Sequence, residues 1–230
     1  WARLPDLFAD NALELALSTD PGVIRSHNED AVFVDARLGL AILADGMGGY
    51  NAGEVASGMA TTRLANDLGR LIASSSLQDH VQGHDAATIE RHILNEISAA
   101  NFAIFHAAQS SPQYAGMGTT LVLAWLYDNR MSVAHVGDSR LYRLRGESLE
   151  LLTRDHSLLQ EQIDSGMISP QEARYADNRN LVTRALGVGP TVDVEIHDFE
   201  VQRGDVILLC SDGLNRSEER RVGKECRSRW

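Results

Sequence analysis

Cysteine is scarce, with only Cys210, in an apolar run, and Cys226, in a basic stretch, along the 230 residues. That rules out a disulfide framework and leaves no CxxC pair for zinc, so a reducing, cytoplasmic setting is expected. Positive charge is also in deficit: 21 Lys and Arg stand against 32 Asp and Glu, a net charge of −11. Nucleic acid is thereby excluded as the main partner, because gripping phosphate backbones takes a basic face. No apolar run reaches the roughly 18 residues that span a bilayer, and Trp1-Ala2-Arg3-Leu4-Pro5 lacks a signal-peptide pattern, so no membrane role is expected. No fixed-period repeat or EF-hand spacing occurs, which disfavours a solenoid and a calcium-binding structural sandwich.

What is present suits one soluble domain: 43% hydrophobic and 23% charged residues. Short strands are expected at residues 13–17 and 31–34, and a buried strand at 39–44 that opens into the glycine-rich Asp45-Gly46-Met47-Gly48-Gly49. Apolar residues then recur at helical spacing over 54–72 and 86–108, with a polar, serine-rich loop at 74–83. Runs at 119–127 and 131–136 flank Asp128-Asn129 and read as a hairpin; a second pair, 141–144 and 149–152, flanks Gly146-Glu147. Residues 157–176 read as helix interrupted near Gly166 and Pro170, followed by strands at 192–199 and 206–210. Strands, then two helices, then hairpins do not alternate as βαβ units do, so the fold class is α+β with antiparallel sheets.

Three times an apolar strand runs into an aspartate beside glycine: Ile42-Leu43-Ala44-Asp45-Gly46, Val136-Gly137-Asp138 and Leu209-Cys210-Ser211-Asp212-Gly213. Each alone reads as a strand-ending turn. Gathered on one rim of a sheet, their charge would be costly unless cations neutralised it, and oxygen-only ligands select hard ions such as Mg²⁺ or Mn²⁺. A fourth cluster, Arg25-Ser26-His27-Asn28-Glu29-Asp30, sets a guanidinium four residues before two carboxylates. Its fork can bind two phosphate oxygens, or simply pair with Glu29 at the surface.

The ordered set of Arg25 through Asp30, Asp45-Gly46-Met47-Gly48-Gly49, Gly118-Thr119-Thr120, Gly137-Asp138-Ser139-Arg140 and Ser211-Asp212-Gly213 resembles the PPM, or protein phosphatase 2C-like, family, in particular its bacterial members. The resemblance implies a central sandwich of two antiparallel sheets flanked by helix pairs, with metals in a cleft at one end. It also implies metal-dependent hydrolysis of phosphoserine and phosphothreonine in proteins by activated water, with no phosphoenzyme. By matching position, Asp45 would bridge two Mn²⁺ or Mg²⁺ ions, the Gly46 carbonyl would ligate one and Asp212 the other. Glu29 and Asp30 would act through water, Asp138 would serve a third, weaker site, and Arg25 would bind the phosphate. The implied partners are phosphorylated proteins, targets of a bacterial Ser/Thr kinase, acted on by a monomer.

Met47 stands where animal and plant members often carry a proton-donating His; bacterial members share the Met. His156 in Thr153-Arg154-Asp155-His156-Ser157 is expected to be structural, His135 to be packed core, and residues 163–186 to form the variable flap. Residues 1–12 read as an N-terminal extension, 13–214 as the phosphatase domain without its final strands, and 215–230 as a non-native basic tail, rich in Arg and Lys where the family has its last ligand Asp. A noncatalytic pseudophosphatase is the alternative that this missing Asp favours.

Overall fold

The computed structural model describes residues 13–22, 27–49, 52–74, 86–169, 171–176 and 181–216. Nine strands and four α-helices are described. In chain order they are β1 (Asp30–Asp35), β2 (Leu40–Met47), α1 (Ala52–Ile72), α2 (Ala86–Ser110), β3 (Gly118–Thr119), β4 (Leu121–Tyr127), β5 (Arg130–Val136), β6 (Arg140–Arg145), β7 (Ser148–Leu151), α3 (Leu158–Asp164), β8 (Glu195–Glu200), β9 (Val206–Cys210) and α4 (Asp212–Arg216).

β4 shows how the layers arise. All seven of its residues are buried, so both faces must meet apolar partners. Leu121, Leu123, Trp125 and Tyr127 enter one core with α1 and α2, while Val122, Ala124 and Leu126 enter a second. The two-residue period of a strand sends alternate side chains to opposite faces. The larger sheet runs β1-β2-β4-β5-β8, with β3 pairing the end of β2, and the smaller runs β7-β6-β9; every pairing is antiparallel. Leu141 from β6 and Ile207 and Leu209 from β9 fill the space between the sheets against Leu43, Met131 and Val133. On the opposite face of the small sheet, Leu149, Leu151, Val206 and Leu208 are exposed, and Leu149 keeps 63% of its surface in water. They lie across from Tyr142 and Leu144 in the β6 ladders, so they share one face.

The helices keep the expected periodicity, and α1 buries Ala52, Ala56, Ala60, Leu64 and Leu68 toward the sheet. Asp128 and Asn129 both take positive φ, 43° and 62°, the mirror-image turn that matches strand twist in a two-residue hairpin. Three expectations change. Residues 13–17 form no strand: the segment has no described ladder partner, and Leu17 stays 55% exposed. β2 does not stop before Asp45 but runs on to Met47, because Gly46 and Met47 pair with Thr119 and Gly118. The helix at 157–176 shortens to α3, capped by the Ser157 hydroxyl, which accepts from the Gln160 N–H at 3.3 Å, and a 3-10 turn at Glu172–Tyr175.

Candidate active site

The three aspartate endings come from both sheets. Asp45 lies near the end of β2, Asp138 two residues beyond β5, and Asp212 two residues beyond β9. Asp30 opens β1 directly opposite Asp45 in the antiparallel register. The electrostatics show that these groups converge. Burial first, and then the charges of Asp30, Asp212 and Asp138 together with a hydrogen bond shared with Asp30, push the Asp45 carboxyl up to about 8. The second sheet is tied in by the Ser211 hydroxyl, which donates to Asp30 Oδ2 at 2.8 Å.

The backbone of Asp45 is held as firmly as its side chain is crowded. Its N–H donates to Thr120 Oγ1 at 3.0 Å, and its carbonyl accepts from the Thr119 hydroxyl at 2.9 Å and the Thr120 N–H at 2.9 Å. Thr120 in turn shares a 2.7 Å hydroxyl contact with Ser139, beside Asp138. The Gly118-Thr119-Thr120 motif is thus the bracket between two of the strand-ending aspartates. Thr119 also exchanges both backbone hydrogen bonds with Leu186, at 3.0 and 2.9 Å, pinning the end of segment 163–186 next to Asp45.

Gly46 has a steric reason to be glycine. A Cβ there would lie 2.1 Å from the Gly53 carbonyl oxygen, and one on Gly53 would lie 2.5 Å from Glu29 Oε1. Strand β2 and the first turn of α1 therefore touch backbone to backbone, and Glu29 is seated in that contact. The Glu29 carbonyl accepts from the Gly46 N–H at 3.0 Å and the Ser57 hydroxyl at 2.6 Å. Gly53 and Ser57 escaped the sequence reading; their only signal is small size on the sheet-facing side of a helix.

The Gly137-Asp138-Ser139-Arg140 turn is latched to Thr153-Arg154-Asp155-His156-Ser157. Arg140 forks onto Asp155 at 2.7 and 2.8 Å, and the Leu141 N–H donates to Thr153 Oγ1 at 3.1 Å. His156 is buried and accepts the Gly137 N–H on Nδ1 at 3.2 Å. His135 is fully buried in the core, as expected. Of the anticipated site residues, Glu29, Asp30, Asp45, Gly46, Asp138 and Asp212 are brought together, whereas Arg25 lies outside the described residues.

The donor set suits hard divalent cations. It is oxygen throughout, carboxylates with the Gly46 carbonyl, and the elevated Asp45 carboxyl reports negative charge that a cation would relieve.

The sequence profile described as protein phosphatase 2C matches residues 25–226. The chain belongs to that family. It is 39% identical over 203 residues to the serine/threonine protein phosphatase PstP of Mycobacterium tuberculosis, covering 88% of this chain and 36% of that protein. It is 40% identical over 199 residues to the serine/threonine phosphatase Stp of Listeria monocytogenes, covering 85% and 75%. The chain thus spans little more than a third of the PstP length and three quarters of Stp. The solved catalytic domain of PstP in complex with 2 manganese ions superposes with a TM-score of 0.71 at 35% identity, covering 89% of this chain and 80% of that one. A sandwich of two antiparallel sheets with flanking helices is thus the architecture of this bacterial-type phosphatase fold.

Proposed function

We propose that this chain hydrolyses phosphoserine and phosphothreonine in proteins with the help of bound divalent cations. The convergence of Asp30, Asp45, Asp138 and Asp212 from three strand endings and one strand start carries the reading. In it, Asp45, Asp212 and the Gly46 carbonyl would hold Mn²⁺ or Mg²⁺, and Glu29 and Asp30 would act through water. Asp138 serves a third, weaker site. Once bound, the cations supply Lewis acidity and lower the pKa of water for in-line attack on phosphorus.

The rest falls to the protein's own groups. Thr119 and Thr120 fix the Asp45 backbone so that its carboxylate is preorganised. Asp30, held by Ser211, orients water at the cluster. Arg25 grips two non-bridging phosphate oxygens with its planar fork. Segment 163–186, anchored at Leu186 beside Asp45, selects among phosphoproteins, the targets of a Ser/Thr kinase in the same cytoplasm.

The test is phosphate release from a phosphothreonine peptide with Mn²⁺, with EDTA, and by Asp45→Asn. Activity that needs both Mn²⁺ and Asp45 supports the enzyme. A folded, Mn²⁺-loaded chain without activity leaves the phosphoprotein-binding pseudophosphatase.

A further inference from the structure

Away from the aspartates, His135, His156 and Glu195 bring three potential ligand atoms within 4.8 Å of one another. Hydrogen-bond bookkeeping decides what the cluster does. His156 Nδ1 accepts from the Gly137 N–H at 3.2 Å, which leaves the proton on Nε2, 3.1 Å from Glu195 Oε2. His135 Nε2 faces the Arg154 carbonyl at 2.8 Å and can only donate to it. The two rings stack with centroids 4.7 Å apart and planes 18° apart, and burial lowers the pKa of both, keeping them neutral. Both Nε2 atoms are therefore committed as donors, and neither offers a lone pair to an ion.

What the cluster does grip is the Gly137 peptide. Besides the bond to Nδ1, the backbone N–H of His156 donates to the Gly137 carbonyl at 2.8 Å, so one residue holds Gly137 at both its N–H and its C=O. Gly137 takes φ 100°, and a Cβ there would lie 2.7 Å from Thr120 Cγ2, so the turn tolerates only glycine. The next residue is Asp138, 3% exposed. Glu195, the first residue of β8, buttresses His156 and is itself steadied by His197 Nε2, which donates to Oε1 at 2.7 Å.

We infer that His156, backed by Glu195, is a positioning residue for Asp138, clamping the Gly137 peptide so that Asp138 keeps a fixed bearing on the carboxylate cluster. The inference rests on the proposed role of Asp138 at the weakest cation site. Outer partners that orient metal ligands typically contribute a factor of about 10–100 in metal affinity.

Mn²⁺ alone is the probe, titrated into the metal-free chain and read by calorimetry and by the paramagnetic resonance of free Mn²⁺, with thermal melts as the folding control. His156→Ala should weaken the last Mn²⁺ binding step about tenfold while leaving the tighter steps in place. His156→Asn, whose Oδ1 can stand in for Nδ1, should restore most of it. In an Asp138→Asn background, His156→Ala should have no further effect. An unshifted last step in folded His156→Ala, or equal weakening of every step, overturns the inference. Should His156→Ala not fold, Glu195→Ala decides on the same criterion. A wild-type chain that binds no Mn²⁺ overturns the ligand assignment as well, which separates that failure from this one.

Discussion

Asp30 and Asp45 face each other across the β1–β2 ladder, a directly opposed pair of like charges. Such an arrangement costs stability in an ordinary sheet. Here it raises the Asp45 carboxyl to about 8, chiefly through burial and next through Asp30, so the metal-free fold favours the protonated form.

The pH dependence follows from that direction. A carboxyl whose folded pKa lies above its unfolded value stabilises the fold below the unfolded pKa and loses that contribution as pH rises through the folded one. The metal-free protein should therefore weaken between about pH 4 and pH 8. Asp45→Asn cannot ionise and should be more stable than wild type in EDTA at pH 8, by about 1–3 kcal/mol, the gap closing toward pH 4. Urea denaturation at the two pH values reads this; a gap that widens on acidification contradicts it.

Cations should reverse the order. At a Mn²⁺ concentration a hundredfold above the dissociation constant, the wild-type chain should gain about 2.7 kcal/mol over its metal-free form. Asp45→Asn should gain little. Melting curves with and without Mn²⁺ measure both, and an equal gain in the variant would remove Asp45 from the ligand set.

The contact between β2 and α1 predicts a sharp contrast among glycines. Gly46→Ala places a methyl 2.1 Å from backbone, so it should cost about 2–4 kcal/mol and disturb metal binding. Gly58, in the same helix α1, has nothing within 4 Å of an added Cβ. Gly58→Ala should raise stability by up to about 1 kcal/mol. Chemical denaturation of the two variants side by side provides the check.

Much of this was legible in the sequence because the signals are local. The apolar run of 119–127, the Asp128-Asn129 turn and the helical spacing in α1 and α2 each announce themselves within a few residues. The aspartates were visible because each ends an apolar strand beside glycine. What escaped depends on partners far away in the chain. Leu13 to Leu17 had strand composition but no described ladder to join, and β2 outran its expected end because β3, seventy residues on, pairs with it. The Gly46–Gly53 approach and the grip of His156 on Gly137 involve backbone atoms, which residue type does not advertise.

Arg140 and Asp155 form a bidentate pair in which the Asp155 side chain is 5% exposed. Arg140→Ala takes both guanidinium bonds from that buried carboxylate and should cost about 3–5 kcal/mol. Asp155→Asn, which keeps hydrogen-bonding capacity without the buried charge, should cost less. Urea midpoints for the two variants test the order.

The open face of the small sheet predicts association. Leu149, Leu151, Val206 and Leu208 present an apolar strip on two strands. Leu149→Lys with Val206→Lys should lower light scattering at high protein concentration while changing stability by no more than about 0.5 kcal/mol. Unchanged scattering would show that the strip is not sticky.

The Ser211–Asp30 bond joins residues separated by 181 positions. During synthesis the early carboxylates leave the ribosome long before the strand ending in Cys210 and Asp212 exists. At roughly 5–20 residues per second, ten to forty seconds pass between them. A nascent chain thus carries scattered acids with little hold on metal, and the cation loading proposed above would have to wait until the strand ending in Cys210 has been made.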